Sequence, residues 1–477
     1  MATTKISELP AASTLTGAET LPIVQGGVTK KVTTDRFAML TDAQRAAGAL
    51  GVLAVLPNGG LVLPDGVVNN IGIPGQQGFG VGIPGTLPGG FAAMTGSADV
   101  TSQNYGNYQF SDGSVMCYVP AFFYKWGTGS NGLAVNAVDI KPFSHFVEVA
   151  SAEAAGYALH RAFYNAGSIR PGVFVDKYQC SNNGGVASSI KNGNPLSSAA
   201  DHNPFSALTG APANNYGGAL AAAKTRGSQF FCNTRFIFAA LALLARAHAA
   251  AATSTTHCAW YDATGVANFP KGCNNNALGD VNDAAIAYVS DGYGNCGKTG
   301  SANFFARTTH NGQASGVADL NGNMWEVNTG LTSDGTNFYL LKTSANAAAL
   351  TGSNTLGTDA WGATGITANY DSLGATYESL QARSAVVTYG SATQVFSAAT
   401  TGTAWTAAGA GVPLAGGTTG SNAFGNDGLW DYRPNELCVI SGGYWADGSG
   451  AGAWALFLSN VRSYSYSNVG LRAASYL

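Results

Sequence analysis

Between Ser441 and Ala474 the chain reads SGGYWADGSGAGAWALFLSNVRSYSYSNVGLRAA. Tyr444, Ala446, Asp447, Gly450, Phe457, Ser459, Tyr464 and Tyr466 make up an interleaved set of Tyr, Ala, Asp, Gly, Phe and Ser. The chemistry this set suits is recognition. Tyr supplies amphipathic contact area at low entropic cost, and small polar residues adapt to what they meet. Between these positions runs a frame of Trp445, Trp454, Leu456, Leu458, Val469 and Leu471, with glycines at 442, 443, 448, 452 and 470. Large apolar residues build a core, and glycine permits tight or left-handed backbone. Period-two alternation through 455–459 puts Leu456 and Leu458 on one face and Phe457 and Ser459 on the other.

Other reactive residue types are less organised. Cys117, Cys180, Cys232, Cys258, Cys273, Cys296 and Cys438 match neither a C-x-x-C redox motif nor zinc-finger spacing. They read as small buried hydrophobes, with a loop staple from Cys273 to Cys258 or Cys296 as the alternative. His145, His160, His202, His248, His257 and His310 are scattered, and their spacing supports no metal pair. The stretch Gly292 to Thr299 satisfies a phosphate-loop pattern, but Gly300 to Asn303 after it start no helix to cradle a phosphate. Gly80, Gly82 and Gly85 satisfy a dinucleotide fingerprint, but Pro84 and Pro88 interrupt the helix it requires.

The elements that must carry these residues are mostly strands. Leu21 to Val24 and Thr29 to Thr33 flank Gly26-Gly27 and predict a hairpin, followed by a capped helical turn from Thr34 to Leu40. A hairpin so small cannot bury a core and must dock on something. Thr41 to Val55 reads as a short helix, and the Gly/Pro-rich stretch 57–90 excludes helices. Tyr108 to Trp126 predicts strand, Asp-Gly turn and strand. Asn233 to Ala251 carries Phe236, Ala239, Ala240, Leu243 and Leu244 at helical spacing. From about 331 to 416 the chain is Thr/Ala/Gly-rich, with short strands such as Asn337 to Leu341 and Ser384 to Tyr389.

Two resemblances attach to these residues. The segment 441–474 resembles the variable region of proteins diversified by phage-encoded retroelements. Gly442-Gly443, Trp445, Gly448, Ala451-Gly452, Ala455-Leu456, Leu458, Ser463 and Val469 to Ala474 keep that family's frame. The eight positions named above stand where its template has Asn, and adenine-directed mutagenesis of an AAC codon yields the residues found there. Independently, Asp319 to Glu326 (DLNGNMWE) is similar to the D-x-x-G-N-V-W-E motif of the formylglycine-generating-enzyme family, and Val173 to Tyr178 resembles that family's F-x-x-D-K-Y strand. The closing Val469-Gly470-Leu471-Arg472 resembles its terminal G-F-R. The implied fold is a C-type-lectin-like domain over roughly 160–474. The family's enzymes hold copper with paired cysteines near the C-terminal end, and no cysteine follows Cys438 here, which implies loss of catalysis. Relatives imply that oxygen ligands in the loop Asn274 to Asp283 could hold structural calcium. Ile6 to Val32 resembles the leader of many phage tail-fibre and tail-tip proteins.

The expectation is therefore an α+β, β-rich chain. It divides into a tail-attachment leader (1–45), a β-rich middle or trimerisation domain (46–155) and a C-type-lectin-like receptor-binding domain (156–477) with an inserted β subdomain. A net charge of −3 gives no basic field for nucleic acid, and no apolar run is long enough for a signal sequence or a membrane span. The resemblances imply a homotrimeric tail-fibre protein of the virion, made in the host bacterial cytoplasm. It would bind a bacterial surface receptor through the eight positions, with neither catalytic residues nor a metal centre. The rival expectations are an enzyme of the formylglycine-generating family and a purely structural tail or baseplate protein.

Overall fold

The computed structural model describes residues 68–263, 269–350, 368–374, 394–414 and 424–477, with the backbones of a few further strands. Met1–Val67 and Val68–Leu477 are separate compact units. In the first, Thr20–Gln25 pairs antiparallel with Val28–Thr33, the hairpin expected of the leader. Ala54–Val55, Leu61–Leu63 and Gly66–Val67 form a second small sheet. The helix expected over Thr41 to Val55 lies outside the described residues, except for Ala54–Val55, which are strand.

The larger unit is built on two six-stranded sheets. In the first, the order is Phe231–Cys232, Ala473–Tyr476, Gly172–Asp176, Val115–Pro120, Asn107–Phe110 and Phe91–Ala93. In the second, it is Val387–Thr388, Gly428–Asp431, Gly452–Val461, Leu437–Gly442, Trp325–Asn328 and Val469–Gly470. The chain is thus β-rich with a minority of helix, as its composition implies. Three of the strands in the first sheet come from the region expected to be a separate middle domain ending at 155. That boundary is corrected: Val115–Pro120 pairs along its length with Gly172–Asp176, which in turn pairs with the C-terminal strand. Phe91, Tyr108, Phe110, Met116 and Tyr118 then share a core with Phe174 and Phe230. Gly/Pro-rich sequence looked like a module of its own because strand pairing between distant segments leaves no local trace.

Within the region 331–416, Leu331–Ser333, Phe338–Leu341 and Tyr370–Ser372 make a small antiparallel sheet, while Val387–Thr388 extends the second large sheet. The helix Arg235–Ala251 begins at Thr234, whose side chain accepts the Ile237 N–H. Apart from Arg246, Ala249, Ala250 and Ala251 its residues are buried, as a helix that is apolar nearly all round must be.

Arg472 joins the motif segments. Its guanidinium forks onto the Glu326 carboxylate at 2.8 and 3.0 Å and donates to the carbonyls of Asp176 and Ala318 at 2.7 Å. Asp176 is itself clamped by Arg226 at 2.6 and 3.0 Å and accepts the Ala473 N–H. All four charged side chains are nearly inaccessible. Bidentate pairing with further donors satisfied by backbone carbonyls is the geometry that tolerates buried charge. Gly322, at the turn of the same motif, has φ of 78° and lies where a Cβ would stand 2.1 Å from the Cys273 carbonyl, so only glycine fits.

Candidate functional surface

The strand Gly452–Val461 is the spine of the surface. It pairs with Leu437–Gly442 on one side and, in parallel, with Gly428–Asp431 on the other. Alternation holds: Leu456 and Leu458 are fully buried, while Phe457 and Ser459 are partly exposed on the opposite face. The apolar frame is buried, with none of Trp445, Trp454, Leu456, Leu458, Val469 and Leu471 more than 8 % exposed. By contrast, all eight interleaved positions are at least partly accessible, and Tyr466 reaches 52 %. Burial therefore separates the six large apolar frame residues from the eight interleaved positions, although Gly448, Ser449, Asn460, Val461, Ser463, Ser465 and Ser467 are accessible as well.

Phe457 stacks on Trp430, its register partner, with ring centroids 5.2 Å apart, and meets Trp325 edge-on at 5.5 Å. Gly450 lies over the same Trp430 ring, since a Cβ there would sit 3.5 Å from it. Tyr444, Ala446 and Asp447 occupy the turn that precedes the strand. Gly443 opens this turn at φ of 85°, and a Cβ there would stand 2.4 Å from that of Ala451, which accounts for the glycine. The Asp447 carboxylate accepts the Tyr444 N–H at 2.9 Å, and burial pushes its carboxyl up to about 7. Ala446 and Tyr444 pack against a small core of Cys273, Ile286, Tyr288, Cys296, Met324 and Trp445.

Tyr464 and Tyr466 are carried on a loop after the strand, their rings nearly parallel with centroids 5.9 Å apart. The loop is fastened at both ends. Arg462, buried, lies 4.4 Å over the Tyr216 ring and donates to Thr332. Ser198 accepts the Tyr466 N–H through its hydroxyl, donates to the Tyr466 carbonyl and receives Ser465 at its own carbonyl. His202 meets the Ser467 carbonyl through Nδ1 at 2.6 Å and Asp291 through Nε2 at 2.6 Å. Burial raises the phenols of Tyr444 and Tyr464. Asp447 and Tyr466 reinforce the shift at Tyr444, and Tyr466 and Tyr444 do so at Tyr464. The structure thus brings together Tyr464 with Tyr466, and Gly450 with Phe457 at Trp430, while Tyr444 packs edge-on against Trp445.

Sequence reasoning passed over Trp430 and Tyr432. They alternate with buried Leu429 and Asp431, and Tyr432 is 52 % exposed. The same period-two signal that exposed Phe457 was available in GLWDY. All seven cysteines are buried free thiols, so neither expected loop staple is formed. In the loop expected to suit calcium, Asp280 accepts N–H groups from Gly272, Asn274 and Asn282, and Asp283 pairs with Arg307 at 2.8 Å. Its carboxylates are thus engaged by protein donors. The phosphate-loop-like stretch closes on itself through Asp291 N–H to Cys296 O and is followed by a 3-10 turn at Phe305–Thr308 rather than an α-helix. In the dinucleotide-like stretch the N–H groups of Gly80 and Gly82 are bonded to the Ile71 and Tyr118 carbonyls.

No family model and no curated protein matches the chain. Among solved structures it is similar to the U1, I1 and P3c variants of Major Tropism Determinant. Each alignment covers 88 % of this chain and 77 % of the other at 10 % identity. The TM-scores are 0.28, 0.28 and 0.26, below the level at which a likeness establishes a shared fold. Among the described residues no helix is long and apolar enough to cross a membrane.

Proposed function

We propose that this chain is a phage tail-fibre receptor-binding protein, acting by recognition rather than catalysis, which meets a bacterial surface ligand through Tyr444, Ala446, Asp447, Gly450, Phe457, Ser459, Tyr464 and Tyr466. The observation that carries the proposal is the sorting by burial: every large apolar frame residue of 441–474 is inside, and every interleaved residue is accessible. A scaffold so arranged accepts replacement of its contacts without repacking. Tyr464, Tyr466, Tyr444 and Phe457 would be the aromatic anchors, Asp447 and Ser459 the polar contacts, and Ala446 and Gly450 the small residues that shape the surface. In this reading the chain is a homotrimer of the virion, made in the host cytoplasm, with the leader hairpin docking to a tail component. Many copies then raise effective affinity through avidity, so weak single sites suffice.

Two observations weigh against the rivals. An oxidase needs accessible, acidic thiols, whereas burial pushes Cys117 up to about 11 and Cys258, Cys273 and Cys438 to about 12. A structural protein with an inward-packed aromatic terminus would hide Tyr466, which is 52 % exposed. The test is adsorption of particles carrying Tyr464→Ala and Tyr466→Ala. Loss of adsorption with a nearly unchanged melting temperature is expected, and undiminished adsorption would remove these residues from the site. Sequencing the DNA beside the gene adds a second check, since a near-copy of the 441–474 segment differing only at adenines is expected there.

A further inference from the structure

We propose that His202, Asp291 and Cys296 form a site for one divalent transition-metal ion of the zinc type, which pins the loop carrying Tyr464 and Tyr466 to the body of the protein. One ligand atom from each residue lies within 4.8 Å of the other two. The donors are an imidazole nitrogen, a carboxylate oxygen and a sulfur, a mixed set that suits zinc with a fourth position left for water. Hydrogen bonds aim the imidazole and the carboxylate. The second ring nitrogen of His202 faces the Ser467 carbonyl at 2.6 Å, the outer contact that metal-binding imidazoles use to fix their orientation. Asp291 receives the Tyr293 N–H on Oδ1 at 2.8 Å, while Oδ2 meets His202 Nε2 at 2.6 Å and the Asn203 side-chain amide at 3.5 Å.

The surroundings enclose the three donors. His202 is 3 % exposed and Cys296 fully buried, and the Tyr293 ring covers the imidazole at 4.2 Å, nearly in parallel. Gly292 and Gly294, both exposed, flank Tyr293 on the loop that covers the cluster. Asp291 and Cys296 are held together by the turn that Asp291 N–H closes onto the Cys296 carbonyl. The Nε2 to Oδ2 separation is 2.6 Å. Two ligands on a tetrahedral ion at about 2.0 Å each would stand roughly 3.3 Å apart, so the carboxylate must retreat by about 0.7 Å, and the sulfur, within 4.8 Å of the other donors, must settle at about 3.5 Å from each. Binding displaces to solvent the thiol proton of Cys296 and the proton between His202 and Asp291, leaving thiolate, neutral imidazole and carboxylate on the ion. None of this depends on what the tyrosines contact.

The experiment is titration of the metal-free full-length protein with Co2+, followed by competition with Zn2+. One equivalent of Co2+ should produce near-ultraviolet thiolate-to-metal absorption and visible bands of tetrahedral intensity, and Zn2+ should erase both. Saturating Zn2+ should raise the melting temperature. Cys296→Ser should lose the near-ultraviolet band. Asp291→Asn, which keeps the size and shape of the side chain, should weaken affinity by more than about ten-fold, the scale reached even by outer-contact changes. The proposal is overturned if Co2+ gives no thiolate band and Zn2+ leaves the melting temperature unmoved. Bands of full intensity and affinity in both variants would also overturn it.

Discussion

Arg472 and Tyr466 belong to the same C-terminal segment, yet the molecule treats them in opposite ways. Around Arg472, four charged side chains from distant parts of the chain are buried, and the network is tied by hydrogen bonds of 3.0 Å or less. Around Tyr466, half of the side chain is exposed and its loop is fastened by backbone and small polar groups rather than by the ring itself. Buried charge tolerates no substitution that leaves one partner behind, because the orphan cannot recover its hydration. A ring held on a loop whose anchors are Ser198, His202 and Arg462 can be exchanged at little cost to the fold. Exchangeable, accessible side chains can thus share a segment with a rigid buried network, provided that the loop's anchors are not themselves exchanged.

The sharpest way to break this contrast is at Arg472. Arg472→Met should destabilise the protein by about 3–5 kcal/mol by stranding the Glu326 carboxylate, measured by chemical unfolding. Adding Glu326→Gln to it should restore part of the loss. Recovery of none would mean that the backbone carbonyls, not the ion pair, dominate. Next in size is Phe457, which belongs to both worlds, half-buried and packed against Trp430 and Trp325. Phe457→Ala should cost about 1–2 kcal/mol, less than a core aromatic and more than a surface one. At the exposed extreme, Tyr466→Ala should change stability by no more than about 0.5 kcal/mol and the half-buried Tyr464→Ala by about 1 kcal/mol, while the pair abolishes adsorption.

The last effect concerns pH, and the partial exposure of Asp447 screens it. Burial lifts the Asp447 carboxyl to about 7, against an unfolded value near 3.9. Between these values the folded state holds a proton that the unfolded state has released, so this residue's contribution to stability is full below about pH 4 and is lost as pH rises to about 7. Asp447→Asn should flatten that part of the stability profile, which denaturation at a series of pH values would read. A slope that persists unchanged in the variant would place the titrating group elsewhere.

Much was determined by the sequence alone. Period two predicted which face of 455–459 would be buried, helical spacing predicted Arg235–Ala251, and the leader hairpin followed from two short strands around Gly26-Gly27. These are local patterns, in which the residue's own neighbours decide its environment. Of the eight interleaved positions of 441–474, Phe457 and Ser459 were legible for the same reason, while the other six rested on composition and on the resemblance to a variable-region frame. Tertiary structure alone decided the rest. It merged residues 68–155 with the body by pairing Val115–Pro120 with Gly172–Asp176 and drew Asp176, Arg226, Glu326 and Arg472 into one network. It also set Trp430 against Phe457, and it gathered His202, Asp291 and Cys296 from segments whose spacing carried no metal signal. Such juxtapositions depend on which strands pair across long separations. That choice is made by the summed burial of the whole core and leaves no periodic mark on any one segment.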